Sequence, residues 1–362
     1  MRKAYQIKML SIMVGVLLLS SCQKEFTIMV VPNNASMGRV IGSGMYKKGI
    51  VLKLKALPMT GYRFEQWDDG ITDNPRIIIV KGNATYTAVF VDEGDNDYQD
   101  AFSVSETQKV YFSQGNLQWS ATGSHEIIGG DKVTGTWRFA PHQWDTIGVG
   151  NENISATYTG WIDLFGWGTS GYDDKSPYMT STTYTDYGNG ENDIAGTNYD
   201  WGVYNAIYNP ITQTSDAPGT WRTLTKDEWV YLLKTRSTSS NIRFAKAIVN
   251  GVNGLVIVPD NWTNKVYELK FTNITGANYT SNTILATDWE DMEIAGCVFL
   301  PAAGVRSGTS VLDAGFNGSY WTTMYNSSSI VYCLYFNSIY LYSSISSNIC
   351  YGFSVRLVRD VQ

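Results

Sequence analysis

The chain is predicted to be an α+β, β-rich protein, with a small β module followed by a larger domain that carries long loops. Three observations lead there. Glycine is frequent, 34 in 362 residues, and punctuates almost every apolar run. Aromatic residues make up 14 % of the chain, a composition suited to strands and to loops pinned by rings. Long helical patterns are scarce, and one stretch alone, around Trp229, carries a clear helix start. Beyond an N-terminal leader about 340 residues remain, more than one core usually covers, so two or more domains are expected.

Residues 1–21 read as an export signal. Arg2, Lys3 and Lys8 form its basic start, Met9 to Ser20 its apolar run, and Leu19-Ser20-Ser21-Cys22 its cleavage site. That run is too short to span a bilayer. A cysteine in this position resembles the bacterial lipobox, which implies acylation of Cys22 and a lipid-anchored tether over residues 22–25. Several acyl chains would hold firmly where one binds only marginally. Losing three positive charges moves the formal net charge from −6 to −9. An acidic exported chain with no basic cluster argues against nucleic acid as a partner.

Residues 26–91 form the first module. Thr27–Val31, Ile50–Ala56, Arg76–Val80 and Tyr86–Val91 are strand-like, and glycines such as Gly38, Gly49, Gly70 and Gly82 mark the turns between them. The acidic stretch 92–100 lacks aliphatic residues and reads as a solvated linker. In the second module, 101–362, strands are expected at Lys109–Leu117, Trp137–Ala140, Leu255–Val258, Cys297–Pro301, Ile330–Leu341 and Phe353–Val358. Between them, residues 147–200 are rich in Gly, Asn, Tyr and Thr, which predicts extended loops pinned by Trp161, Phe165, Trp167 and Trp201. Thr225 followed by Glu228 is a capping-box signal, with Trp229, Leu232 and Leu233 as the apolar face of the helix.

The tail is the most unusual segment. Residues 314–355 hold no Asp, Glu, Lys, Arg, His or Gln. From Tyr325 to Tyr351 every residue is Tyr, Ser, Ile, Asn or Cys except Val331, Leu334, Phe336 and Leu341. Tyr with Ser and Asn is the chemistry of a paratope, rigid amphipathic rings beside small adaptable hydrogen-bonding groups. All five types are also encoded by codons reachable from an Asn codon by replacing its adenines alone, the mark a mutagenic reverse transcriptase leaves on a gene's end. Simple drift to a Tyr/Ser-rich composition gives the same text, and either origin makes the segment a recognition surface. Alternation along Val331–Leu341 puts Leu334, Phe336 and Tyr340 inward and Cys333, Tyr335, Asn337 and Ile339 outward. Those four, with Met324, Tyr325, Asn326, Ile330, Tyr342, Ile345, Asn348, Ile349 and Tyr351 expected in loops, are the candidate ligand contacts.

Two resemblances organise these readings. G-R-V-I-G-S-G-M-Y-K-K-G at 38–49, A-L-P-M-T-G-Y-R-F-E-Q-W-D-D-G at 56–70 and Y-T-A-V-F at 86–90 resemble the divergent internalin B-type repeat of bacterial surface proteins. Such modules imply a stalk or spacer. W-R-T-L-T-K-D-E-W at 221–229, G-L-V-I-V-P-D-N-W at 254–262, F-L-P-A-A-G-V-R at 299–306, G-S-Y-W-T-T at 318–323 and G-F-S-V-R-L-V-R at 352–359 resemble the Fibrobacter-type major paralogous domain. That domain is similar to the C-type lectin-like fold shared by formylglycine-generating enzymes and by the variable proteins of diversity-generating retroelements. The likeness implies a fold and leaves the ligand open.

Reactive constellations are missing from the sequence. There is no G-x-S-x-G or C-x-x-C, and the only histidines are His125 and His142, the latter expected to pack beside Trp144. Formylglycine chemistry needs a closely spaced cysteine pair, whereas Cys333 and Cys350 lie seventeen apart. These two could be joined by a disulfide or be free; Cys297 reads as a buried small hydrophobe. The calcium motifs of sugar-binding lectins do not occur, and Asp186–Asp193 reads as a solvated turn before a cation loop. No enzyme activity, cofactor or metal is therefore expected. The expectation is a lipid-anchored protein of the bacterial outer membrane, displayed at the cell surface, that touches the membrane through its anchor alone. Through its tail it would bind an extracellular protein or glycan. The alternative is a structural or adhesive subunit of a surface fibre or stalk, with the Tyr-rich face as a fixed packing interface.

Overall fold

A computed structural model describes residues 24–59, 62–92, 101–126, 132–210, 214–263 and 265–361. The signal, Cys22 and most of the acidic linker lie outside the described residues. The fold is β-rich, 41 % strand against 12 % helix.

The first module contains β1 (Glu25–Pro32), β2 (Gly38–Ile41), β3 (Gly44–Lys47), β4 (Val51–Pro58), β5 (Tyr62–Trp67), β6 (Arg76–Ile79) and β7 (Ala84–Asp92). They form two sheets, ordered β3-β1-β7-β5 and β2-β4-β6. Alternation places Ile28, Val30, Leu54, Ala56, Ala88 and Phe90 between the sheets around a fully buried Trp67. Its indole N–H donates to the Asp73 carbonyl at 2.9 Å, so the ring brings no unsatisfied polar atom into the core.

The second module begins with β8 (Phe102–Ser103), β9 (Lys109–Phe112), β10 (Leu117–Glu126) and β11 (Lys132–Phe139). A long excursion follows, with only short 3-10 turns until α1 (Trp201–Tyr204), β12 (Ile207–Asn209), β13 (Thr214–Asp216), β14 (Arg222–Thr223) and α2 (Lys226–Val230). Next come β15 (Phe244–Val249), β16 (Val252–Ile257), β17 (Thr283–Ile284), α3 (Ala286–Ile294), β18 (Val298–Pro301), β19 (Val305–Ser307) and β20 (Ser310–Leu312). The chain ends in β21 (Gly318–Ser327), β22 (Ile330–Phe336), β23 (Leu341–Asn348) and β24 (Leu357–Asp360).

Its core is layered. In the sheet β17-β15-β16-β18, Phe244, Leu255, Ile257 and Leu300 point one way, while Ala245, Ala247, Val256 and Phe299 point the other, under Trp289 of α3 and Trp262. The first set packs on Tyr320, Leu334, Phe336 and Leu341 of the sheet β21-β22-β23. That sheet turns its opposite face, with Trp321, Val331 and Cys333, onto the loop residues Phe165, Trp167, Ile194 and Trp201. It is therefore covered on both sides along its middle, and Gly318 is needed because a Cβ there would fall inside the Phe336 ring.

The loop anchors work as expected: Phe165, Trp167 and Trp201 are fully buried. Trp161 is half-buried and lies against the Arg138 guanidinium at 3.7 Å. The capping box is present, with the Thr225 hydroxyl accepting from Glu228 N–H and the Glu228 carboxylate accepting from Thr225 N–H. Thr225→Ala is expected to lower the unfolding free energy by about 1 kcal/mol in a denaturant titration, and an unchanged midpoint would refute that weight.

Four sequence expectations need correction. Of the expected strand Phe353–Val358, only Leu357 and Val358 lie in a strand, β24, which runs on to Asp360. Ile330–Leu341 is two strands, because the chain reverses at Asn337–Tyr340. Lys109–Leu117 is broken after Phe112, and β10 continues to Glu126. The helix α3 was not anticipated; its N-cap is Leu285, which makes no side-chain cap.

The two modules touch. Lys55, only 5 % exposed, places its ammonium 2.7 Å from Glu290 and 3.1 Å from Asp291 of α3. Burial alone would pull its pKa down, but the two carboxylates hold it above the ordinary lysine value.

Candidate functional site, the tyrosine-rich tail

The described residues place the thirteen candidate contacts at two ends of one sheet, apart from a buried pair and Ile345, which lies between the ends. Because both faces of β21-β22-β23 are covered in the middle, the described sheet reaches solvent mainly at its two ends and along its edge strand β23. The two ends are about 20 Å apart along β22.

At one end, β21 passes into β22 through Ser327–Ile330. Met324, Tyr325, Asn326, Ile330, Asn348 and Tyr351 gather there, half-buried or exposed. Asn326 orders this end: its amide donates to Ser346 Oγ at 2.9 Å and its carbonyl accepts from the Tyr332 hydroxyl at 3.0 Å. The Lys226 ammonium sits 4.7 Å from the centre of the Tyr332 ring. The loop 184–194 closes the side, with Asp193 accepting from Tyr325 N–H at 2.7 Å. In the expected turn Asp186–Asp193, Asp186 accepts from the Ser181 hydroxyl. Among the described residues, no cluster of three or more His, Cys, Asp or Glu side chains could hold a metal.

At the other end is the β22–β23 turn. Asn337 builds it: its side-chain carbonyl accepts from Ile339 N–H and Tyr340 N–H, both at 2.8 Å, and its amide donates to the Tyr335 hydroxyl at 2.8 Å. Tyr335 stacks on Tyr342 at 6.3 Å and Tyr342 on Tyr340 at 5.7 Å, interplanar angles 27° and 20°. Ile339 at the tip is 59 % exposed. The result is a ladder of three parallel rings on a short, hydrogen-bonded turn.

Two candidates are withdrawn by burial. Cys333 and Ile349 are each 1 % exposed and belong to the core with Trp321 and Val331. Burial pushes the Cys333 thiol up to about 12, so no thiolate forms at neutral pH. A ligand cannot reach either side chain. Tyr340 is corrected in the opposite direction: expected inward, it is 49 % exposed. The reason is the turn, which ends the alternation at Phe336 and restarts it at Leu341. Ile345 remains accessible between the two ends. Cys333 and Cys350 are not joined by a disulfide, and Cys297 is buried.

Sequence reasoning missed Tyr332, Ser346, Lys226 and Asp193. Tyr332 and Ser346 carried a signal, being Tyr and Ser opposed across neighbouring strands. Lys226 and Asp193 lie outside the tail and had none. Elsewhere, His142 stacks on Trp144 with its ring 3.2 Å from Asp145, in an exposed loop. Arg356 is buried and donates to Asn116, Gln143 and the Phe299 carbonyl. Arg359 lies against Tyr111 and Trp221. Both arginines therefore brace the fold. The surface offers ring faces, hydroxyls and amides.

No curated protein and no solved structure matches the chain. Residues 28–94 match the family model of the divergent InlB B-repeat domain, in agreement with the glycine and aromatic pattern of the first module.

Proposed function

We propose that this chain is a lipoprotein of the bacterial cell surface that binds an extracellular protein or glycan through its tyrosine-rich tail. On this reading Cys22 carries the acyl anchor in the outer membrane, the repeat is a spacer, and the second module is a C-type lectin-like domain without enzymatic activity. The observation that carries the proposal is the ladder Tyr335–Tyr342–Tyr340. Three rings stand stacked and open at a turn whose hydrogen bonds are already satisfied from within. Such rings supply contact area at small entropic loss, because they are fixed before the ligand arrives. Retroelement diversification fits the same surface, since Tyr, Asn, Ser and Ile at the accessible ends can be exchanged while the covered middle is kept.

The test is binding on arrays of glycans and surface proteins, followed by titration of the strongest hit. Replacing Tyr335, Tyr340 and Tyr342 together by Ser is expected to weaken that hit about 100-fold, at roughly 1 kcal/mol per ring. Melting should stay close to the parent's. Undiminished affinity would move the site elsewhere. Independently, a reverse transcriptase gene and an adenine-rich near-copy of the gene's 3′ end should lie nearby. Their absence from the genome would leave a binder of fixed specificity.

A further inference from the structure

The repeat module has two unlike ends. Asp92, Tyr62 and Pro58 close one end, and from there the chain runs on toward the second module. The other end is made of the start of β1, the β3–β4 turn and the β6–β7 turn. Glu25 pairs with Lys47 across β1 and β3, Gly49 N–H donates to the Val80 carbonyl, and Thr27 N–H donates to the Asn83 side chain. These contacts bring Lys24, Lys47, Lys48 and Lys81 to one end, all exposed. Four ammonium groups face a single carboxylate, Glu25, within segments 24–27, 47–51 and 79–84. The ion pairs of the described repeat engage Lys53, Lys55, Arg63 and Arg76 and none of these four. Beside them Ile50, Val51 and Ile79 are 45 %, 66 % and 55 % exposed. A basic, apolar tip is unexpected on a chain whose net charge is −6.

We propose that this tip rests on the anionic headgroup surface of the bilayer that holds the chain. Cys22 precedes Glu25 by three residues, so an anchor there could stand at most about 11 Å from the start of β1. That distance brings the tip to the lipid surface whatever path the tether takes. Lysines within a Debye length of anionic headgroups are attracted, and isoleucine and valine side chains can enter the interfacial layer. The repeat is then a foot that stands on the membrane, with the second module held at its other end. The direction in which the tip faces rests on the proposed acylation of Cys22; the charge and apolar match do not.

The experiment is an amine-acylation footprint of the full chain, mixed with vesicles of phosphatidylcholine alone or with phosphatidylglycerol added. Lys47, Lys48 and Lys81 should label several-fold more slowly on the mixed vesicles, while Lys234 and Lys265 of the second module label equally on both. Each lysine contributes about five-fold to surface affinity, so Lys47→Gln with Lys81→Gln should weaken binding to the mixed vesicles about 25-fold. Melting should not change, since both side chains are exposed. Equal labelling of the three lysines on the two vesicle types, or equal protection of Lys234, overturns the proposal. The mass of the N-terminal peptide from the same digest reports acylation separately. An unmodified Cys22 refutes the anchor, and the lysine comparison still decides whether the tip binds anionic lipid.

Discussion

Cys333→Tyr is expected to lower the stability of the second module by at least about 3 kcal/mol, although Tyr is the commonest large residue around it. The thiol is 1 % exposed, opposite Trp321 and Ile345 in the register of the sheet, and packed with Val331, Ile349 and Cys350. A phenol cannot fit there without displacing the Trp321 ring, which is fixed by a 2.6 Å hydrogen bond to the Phe165 carbonyl and by contact with Phe353 at 4.2 Å. Its hydroxyl would also lose water without a designed partner. For a domain of this size the melting temperature should fall by about 6–12 °C. Tyr342→Cys, the reverse exchange at a position 42 % exposed, should stay within about 0.5 kcal/mol of the parent. Thermal melts of the two variants check the pair. If Cys333→Tyr melts like the parent, the middle of the sheet is not the fixed core described above. If the gene's end is diversified, the same contrast predicts small residues at position 333 in its variants and free exchange at 335, 340 and 342.

The elements that were legible in the sequence had local causes. Thr225 and Glu228 three residues on announce a helix through their own hydrogen bonds, and alternation in Thr27–Val31 announces a strand with one face buried. The tail reads in the sequence as one strand with loops on either side, whereas it forms the three strands β21, β22 and β23, and the faces expected for β22 are also wrong. An inward-outward rule assumes one wet face, but β22 is covered on both, so Cys333 and Leu334 are buried side by side. A bulge between Cys333 and Tyr335 adds a further break in register. The turn at Asn337–Tyr340 carries no glycine, and its one signal, Asn337, was absorbed into an apparently continuous strand. Helix α3 lacked a capping side chain, and only Trp289 and Met292 mark its buried face. Contacts from outside the tail, such as Lys226 on Tyr332, depend on tertiary packing and leave no trace in local sequence.

Stability is expected to rise as pH falls from about 6 to about 4, the opposite of the usual acid response. Asp163 and Asp200 are fully buried, and burial pushes each carboxyl up to about 6 despite hydrogen bonds from Asn151 and Ile147 in one case and from Thr223 and Gly202 in the other. In the unfolded chain both titrate near 3.9. Between these values the folded protein holds protons that the unfolded chain has released, so unfolding becomes easier as pH rises through the window and is constant above it. Two pKa units correspond to about 3 kcal/mol for each group, an upper bound since the buried carboxylates can relax. Glu293 is shifted upward too, again by burial, and adds to the same trend. Below about pH 4 the sign reverses. Asp69, held down by Arg76, and Asp260, held down against its burial by Ser103 and Arg236, contribute stability that is lost as they protonate. The melting temperature should therefore peak near pH 4. Asp163→Asn and Asp200→Asn should each flatten the slope between pH 4 and 6, even though each also lowers the plateau, because an amide turns a donor toward backbone N–H groups that need an acceptor. The slope is the readout, and a parent whose melting temperature is flat or increases from pH 4 to 6 would show that these carboxyls are ionised throughout.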